Sequence, residues 1–200
     1  MNTRGIHFLF GLVALMLAVG LACGSSTPTA TPAPTAAPAP TESATPSGGE
    51  WVTFTDENDY LALDLPANWE YTQTVDSENN NWYWDVFTAP DGGARIESIV
   101  YDDGTAWTGS QIGKTALQWL HQFYSSTGKE GDIRISDDSI QKDGSERLTW
   151  ASKGGNYSGI SFFEIRKPTA MLMFTVLWDD ASAEQYGDVL DQVIGSYRTP

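Results

Sequence analysis

The stretch that decides the fold is SFFEIRKPTAMLMFTVLWDDASAEQYGDVLDQVIGSYR, residues 161–198. It opens inside one strongly apolar run, 159–166, and continues through a second, 171–178, the two joined by the turn residues Lys167-Pro168-Thr169. Runs of that length bounded by turn formers predict paired strands. After Trp178 the period changes. Tyr186, Val189, Leu190, Val193, Ile194 and Tyr197 recur at helical spacing, and Ser182 with Gln185 predicts a capping box at the helix start. A helix with a single apolar stripe must bury it against another element. Following strands like these, it predicts a sheet with helices packed on it rather than a sandwich of two sheets.

Further upstream, short apolar alternations predict strands at 51–55, 61–65, 71–75, 82–88, 94–101, 132–136 and 147–152. Asp91-Gly92-Gly93 and Gly154-Gly155-Asn156 tolerate positive φ and read as hairpin turns. A first helix is predicted over 110–126, where Ile112, Ala116, Trp119, Leu120 and Phe123 share a face. The fold class is therefore α+β, an antiparallel β-sheet flanked by α-helices, occupying residues 50–200.

The first fifty residues cannot belong to that core. Residues 1–22 have a positive start at Arg4, an apolar run from Ile6 to Leu21, and a small residue, Ala22, before a cysteine. The run is about sixteen residues, short of the ~20 that a membrane-spanning helix needs, which favours a cleaved signal peptide. From Cys23 to Gly49 the chain is almost wholly Thr, Pro, Ala, Ser and Gly, and carries six of the ten prolines. Nothing in it offsets the entropy of ordering, so a disordered tether is expected, reaching roughly 70–80 Å when extended.

Leu21, Ala22 and Cys23, followed by Gly24, Ser25 and Ser26, resemble the lipobox of bacterial lipoproteins, departing from it at Gly20, where leucine is usual. The resemblance implies that Cys23 is alkylated by diacylglyceryl and becomes the first residue after cleavage. Acyl chains contribute about 0.8 kcal/mol per buried methylene, so two or three give stable anchoring. The expected location is the extracytoplasmic face of the cell membrane, with the membrane as partner through the lipid anchor. Cys23 is also the only cysteine, which excludes an intramolecular disulfide and a cysteine-based zinc site.

Residues Leu63-Asp64-Leu65-Pro66-Ala67-Asn68-Trp69, the succession of a hairpin, a central helix, three strands and a closing helix, and the ending Gly195-Ser196-Tyr197-Arg198 together resemble the PsbP-like family, which includes DcrB-like lipoproteins. The resemblance implies a PsbP-like α/β sandwich over nearly all of residues 50–200. It also implies a mostly non-enzymatic role as a lipoprotein or an accessory subunit, and brings no catalytic motif and no cofactor.

The formal net charge is −15, nearly all of it beyond residue 49, because Arg4 and Glu42 are the only charged side chains before it. Phosphate backbones and anionic lipid surfaces repel such a domain, which argues against nucleic-acid binding. Beyond the leader there is one histidine, His121, placed in the first helix beside Leu120 as a structural residue, and no Gly-x-Ser-x-Gly elbow exists. Gly113-Lys114-Thr115 has the ending of a phosphate-binding loop without its glycine spacing, and reads as a helical turn. The pairs Asp102-Asp103, Asp137-Asp138 and Asp179-Asp180 are placed at strand ends as solvated turns. Brought together, they would support a carboxylate-dependent hydrolase or a calcium-stabilised structural lipoprotein.

The aromatic surplus carries the remaining expectation. All eight tryptophans lie beyond residue 50, and Trp82-Tyr83-Trp84 puts large rings on both faces of one strand, while Trp107 sits in a glycine-containing loop. Core packing accounts for most of them. Trp107 together with one of Tyr83 or Trp84 is the candidate for a binding patch, since Trp and Tyr are favoured at interfaces. The expected function is a non-catalytic binding or accessory module whose partner is an envelope protein or a cell-wall component.

Overall fold

The computed structural model describes residues 49–127 and 132–200. The leader, Cys23 and the tether through residue 48 lie outside the described residues, as does the side chain of Ile112. In chain order the elements are β1 (Trp51–Thr55), β2 (Ala62–Pro66), β3 (Glu70–Val75), β4 (Trp82–Thr88), β5 (Ala94–Asp102), α1 (Gly109–Tyr124), β6 (Ile133–Ile140), β7 (Glu146–Ser152), β8 (Tyr157–Lys167), β9 (Ala170–Asp179), a 3-10 turn (Asp180–Ser182) and α2 (Ala183–Ser196). Strands β1 and β2 pair with each other, and the other seven form one sheet in the order β3-β4-β5-β9-β8-β7-β6. Every pairing is antiparallel.

The central strands explain the unbroken apolar run at 171–178. In the β5–β9 pair, Ile96 lies opposite Val176 and Val100 opposite Leu172. These four join a buried cluster with Leu63 and Leu65 of β2 and with Tyr186, Val189, Leu190 and Val193 of α2. The intervening residues Ile99, Met171, Met173 and Leu177 join a second cluster with Ala116, Leu120 and Tyr124 of α1, Leu148 and Trp150 of β7, and Phe163 of β8. A strand buried on both faces needs apolar side chains at every position, and so loses its alternation.

Several polar residues in this interior are hydrogen-bonded to one another. Trp150 Nε1 donates to Ser161 Oγ at 3.0 Å, Ser161 Oγ and Thr175 Oγ1 are 2.8 Å apart, and the Tyr124 hydroxyl donates to Glu97 Oε2 at 2.9 Å. Glu97 is only 1% exposed, and burial raises its pKa above the ordinary glutamate value, against the opposing pull of Arg95.

Two expectations are corrected. The strand expected at 132–136 spans Ile133–Ile140, because a bulge between Ile135 and Asp137 shifts the phase of the side chains and hides the second half from an alternation pattern. Asp137-Asp138 therefore sits inside β6 rather than at a strand end. The capping box of α2 does not form. Ser182 closes the preceding 3-10 turn at φ −104° and ψ 4°, outside the extended conformation that an N-cap uses, and makes no side-chain cap bond. Gln185 Nε2 instead donates to Asp91 Oδ2 at 3.0 Å, and Tyr186 donates to Asp91 Oδ1 at 2.5 Å, fastening α2 to the β4–β5 turn.

The motif around Pro66 works as a corner. Pro66 ends β2, Trp69 N donates to Pro66 O at 3.2 Å, and the Trp69 ring meets Tyr186 of α2 edge-on with centroids 5.9 Å apart. The closing residues return to the same corner. Ala62 and Arg198 exchange backbone hydrogen bonds of 2.8 and 2.9 Å, and Tyr197 stacks on Phe174 at 4.9 Å.

Candidate functional site

A row of side chains crosses three strands near the start of β4. Val75 of β3 lies opposite Tyr83 of β4, and Tyr83 lies opposite Val100 of β5. This row is the floor of a cleft of about 410 Å³. Its walls are Glu57, Asn58 and Tyr60 from the β1–β2 loop, Asn80 and Asn81 from the β3–β4 loop, and Asp102 at the end of β5.

Both loops are held from within by an aspartate. Asp56 is 2% exposed, and its Oδ2 accepts from the backbone N–H groups of Asn58 at 3.1 Å and Tyr60 at 2.9 Å. Its Oδ1 accepts from the Tyr83 hydroxyl. Asp76 repeats the device, with Oδ1 accepting from Glu78 N at 3.0 Å and Asn79 N at 3.2 Å and Oδ2 from Asn81 N at 3.3 Å. Desolvation acts to raise the Asp76 pKa, yet these three backbone donors hold it below its ordinary value. Asp59 and Asn80 adopt left-handed φ of 57° and 56°, a conformation that Asp and Asn tolerate through local hydrogen bonding. These bonds fix the backbone of both loops and so set where the wall side chains begin.

Electrostatics at the cleft are acidic. Glu57 and Asp102 face it, Asp56 lies beneath, and the Tyr83 phenol is driven far above its ordinary pKa, first by burial and then by Asp56. Two residues along β4, Asp85 is 1% exposed, and burial raises its pKa. Its Oδ1 accepts from Tyr71 at 2.7 Å and Gln73 at 3.0 Å, while Oδ2 has no hydrogen-bond partner among the described residues. Lys167 supplies a local cation, its Nζ 4.5 Å from the centre of the Tyr60 ring. The lining contains carboxylates, amides and phenols but no histidine, serine or lysine to act as a nucleophile with its base. Such a lining can accept hydrogen bonds from, and attract, a cationic or strongly donating group.

The three aromatic candidates separate. Tyr83 belongs to the α2-side cluster and is 9% exposed, whereas Trp84 and Trp107 pack against the α1-side cluster. Adjacent strand residues point to opposite faces, so Tyr83 and Trp84 do not share a patch. Trp84 and Trp107 are instead linked by three further rings. Contacts run from Trp107 to Tyr101 at 6.3 Å, to Trp119 at 6.3 Å, to Phe123 at 6.2 Å and to Trp84 at 5.6 Å. Trp107 is pinned there, its indole N–H donating to Thr169 O and its backbone N–H to Pro168 O, both at 2.8 Å.

The other candidates stay apart. His121 is half-buried, and its Nδ1 meets no hydrogen-bond partner among the described residues. Gly113 lies within α1, where a β-carbon would stand 3.7 Å from the Glu146 carboxylate. Asp102 is opposite Ala170 at one end of β9, Asp179 is at its other end, and Asp137-Asp138 belongs to the outermost strand. Among the described residues no group of three His, Cys, Asp or Glu side chains is placed to hold a metal ion. The cleft walls, Asp56-Glu57-Asn58-Asp59 and Asp76-Ser77-Glu78-Asn79-Asn80-Asn81, are marked in the sequence only as turn-forming runs.

No family model matches the sequence, and no curated protein matches it. Among solved structures, the chain is similar to the solution structure of cyanobacterial PsbP (CyanoP) from Synechocystis sp. PCC 6803, with a TM-score of 0.56. Sequence identity is 11%, over 77% of this chain and 95% of that one. The domain therefore has a PsbP-like fold, an antiparallel α+β arrangement that the sequence resemblance anticipated.

Proposed function

We propose that this chain is a bacterial lipoprotein, anchored by acylated Cys23 to the extracytoplasmic face of the cell membrane, whose PsbP-like domain is a non-catalytic binding or accessory module for an envelope protein or cell-wall component. The observation that carries the binding role is the cleft of about 410 Å³, with an apolar and aromatic floor and walls of amides and carboxylates. The anchoring rests on the leader, Cys23 and the proline-rich tether. The division of the interior into an α2-side and an α1-side cluster supports a sheet flanked by helices, one on each face.

The anchor is tested by mass spectrometry of the native protein and by cell fractionation of Cys23→Ser. An acylated cysteine at the amino terminus, and release of the variant from the membrane fraction, are expected. An unacylated start overturns it. The binding role is tested with Asn58→Ala combined with Asn81→Ala in the full chain. Cross-linked partners recovered with the unchanged protein should be lost while the melting temperature stays put; an identical set of partners would refute the cleft.

A further inference from the structure

The edges of the seven-stranded sheet are treated very differently. Edge strands are normally guarded, by bulges, charges or proline, against pairing with another chain. On one edge, β6 has its bulge after Ile135 and carries Arg134, Asp137 and Asp138. At the other, β3 has none of these between Tyr71 and Val75, its register with β4 is continuous, and all six of its residues are exposed. Tyr71 and Val75 are 46% and 48% exposed, and both point to the α2 side.

We propose that β3 is a docking edge for an extended, basic segment of a partner protein, which adds as a further strand and places one Lys or Arg side chain in the cleft. The proposal rests on the binding role given above and names the chemistry of the partner. Its geometric basis is the floor row. Val75, Tyr83 and Val100 lie side by side across β3, β4 and β5, so a residue paired with Val75 by a new strand extends that same row on the same face. Its side chain then lies at the mouth of the cleft, where Glu57 and Asp102 face inward.

Charge chooses among occupants. A second copy of the chain brings a net charge of −15 against a net charge of −15, and self-repulsion of that kind opposes association. The chain's own tether has no Lys or Arg and is rich in proline, which lacks the N–H that pairing requires. A basic strand satisfies both the open backbone edge and the carboxylates. The aliphatic stems of basic side chains on that face would cover Tyr71 and Val75.

The test uses the full chain and a synthetic peptide of alternating Lys and Val, about ten residues long, the upper range for a strand. Two control peptides replace Lys by Glu, or place a proline at the centre. The Lys–Val peptide should bind, with a salt-sensitive affinity, and slow amide exchange along β3 about tenfold without affecting β6. The proline peptide and the Glu57→Gln, Asp102→Asn variant should each weaken binding about tenfold. Equal binding by the proline peptide, or protection absent from β3, overturns edge pairing. Equal binding by the double variant overturns placement of the cation in the cleft. If no peptide binds, while Asn58→Ala with Asn81→Ala still abolishes capture of the cellular partner, this proposal falls and the binding role stands.

Discussion

Tyr83 on β4 donates its phenolic hydrogen to Asp56 Oδ1 across 2.5 Å, joining the floor of the cleft to the loop that forms its wall. Asp56 is 2% exposed, so this donor cannot be replaced by bulk water. Tyr83→Phe keeps the ring and strips the donor from a buried carboxylate, which costs about 1–3 kcal/mol. Urea titration should show the loss as a lower midpoint with unchanged slope. An unaltered midpoint would mean that the loop holds Asp56 through the backbone bonds of Asn58 and Tyr60 alone.

Glu97 should make stability depend on pH in the opposite direction from an ordinary salt-bridged carboxylate. Its pKa in the folded domain is raised by burial, so the folded state keeps a proton that the unfolded state releases. Stability from this group is therefore full below the ordinary glutamate range and is lost as pH climbs from there through the raised value. Glu97→Gln cannot titrate. Unfolding free energies measured between mild acid and neutral pH should fall less steeply for the variant, and parallel curves would clear Glu97 of responsibility.

Gly159 is a packing constraint rather than a turn. A β-carbon there would stand 2.6 Å from Trp150 Cζ2 and 3.0 Å from the backbone oxygen of Val176. The indole is itself tied to Ser161, and the carbonyl belongs to the neighbouring strand, so neither yields freely. Gly159→Ala should destabilise the domain by about 1–3 kcal/mol, the usual cost of overpacking. A crystal structure of the variant should show Trp150 displaced; an undisturbed ring with wild-type stability contradicts the steric argument.

Trp107 gives a contrasting expectation. Its two hydrogen bonds clamp the β8–β9 turn, on the face away from the cleft floor. Trp107→Ala should lower stability by about 0.5–3 kcal/mol and leave binding of the Lys–Val peptide unaltered. A loss of peptide affinity at unchanged melting temperature would return the aromatic run to the list of binding surfaces.

The elements with strong periodicity were legible in advance, and the reason is local. Helix α2 carries its stripe in sequence, and β9 announces double burial because every residue from Ala170 to Leu177 is buried. What escaped depends on relations between distant residues. Whether Ser182 caps a helix depends on the backbone entering it, and that was decided by the 3-10 turn at Asp180. The separation of Tyr83 from Trp84 follows from strand geometry and was available. Their partners were not, because Tyr101, Trp119 and Phe123 come from a strand and a helix brought alongside only by folding. The cleft was invisible for the same reason. Its walls are loops whose residues advertise a turn and say nothing of what the turn faces.

The pairing of β5 with β9 imposes an order in time. As the chain is synthesised, β3, β4 and β5 can associate at once through short turns, but the strand that covers the inner edge of β5 comes only after a helix and three more strands have been made. Closing so long a loop is entropically slow, and topologies with many such contacts fold slowly. During that wait Ile96, Ile99 and Val100 have no neighbour on β9 to shield them. The nascent half-sheet is then the species most open to sticking to others like it, and a chaperone that shields the newly made β5 would raise the yield of folded protein.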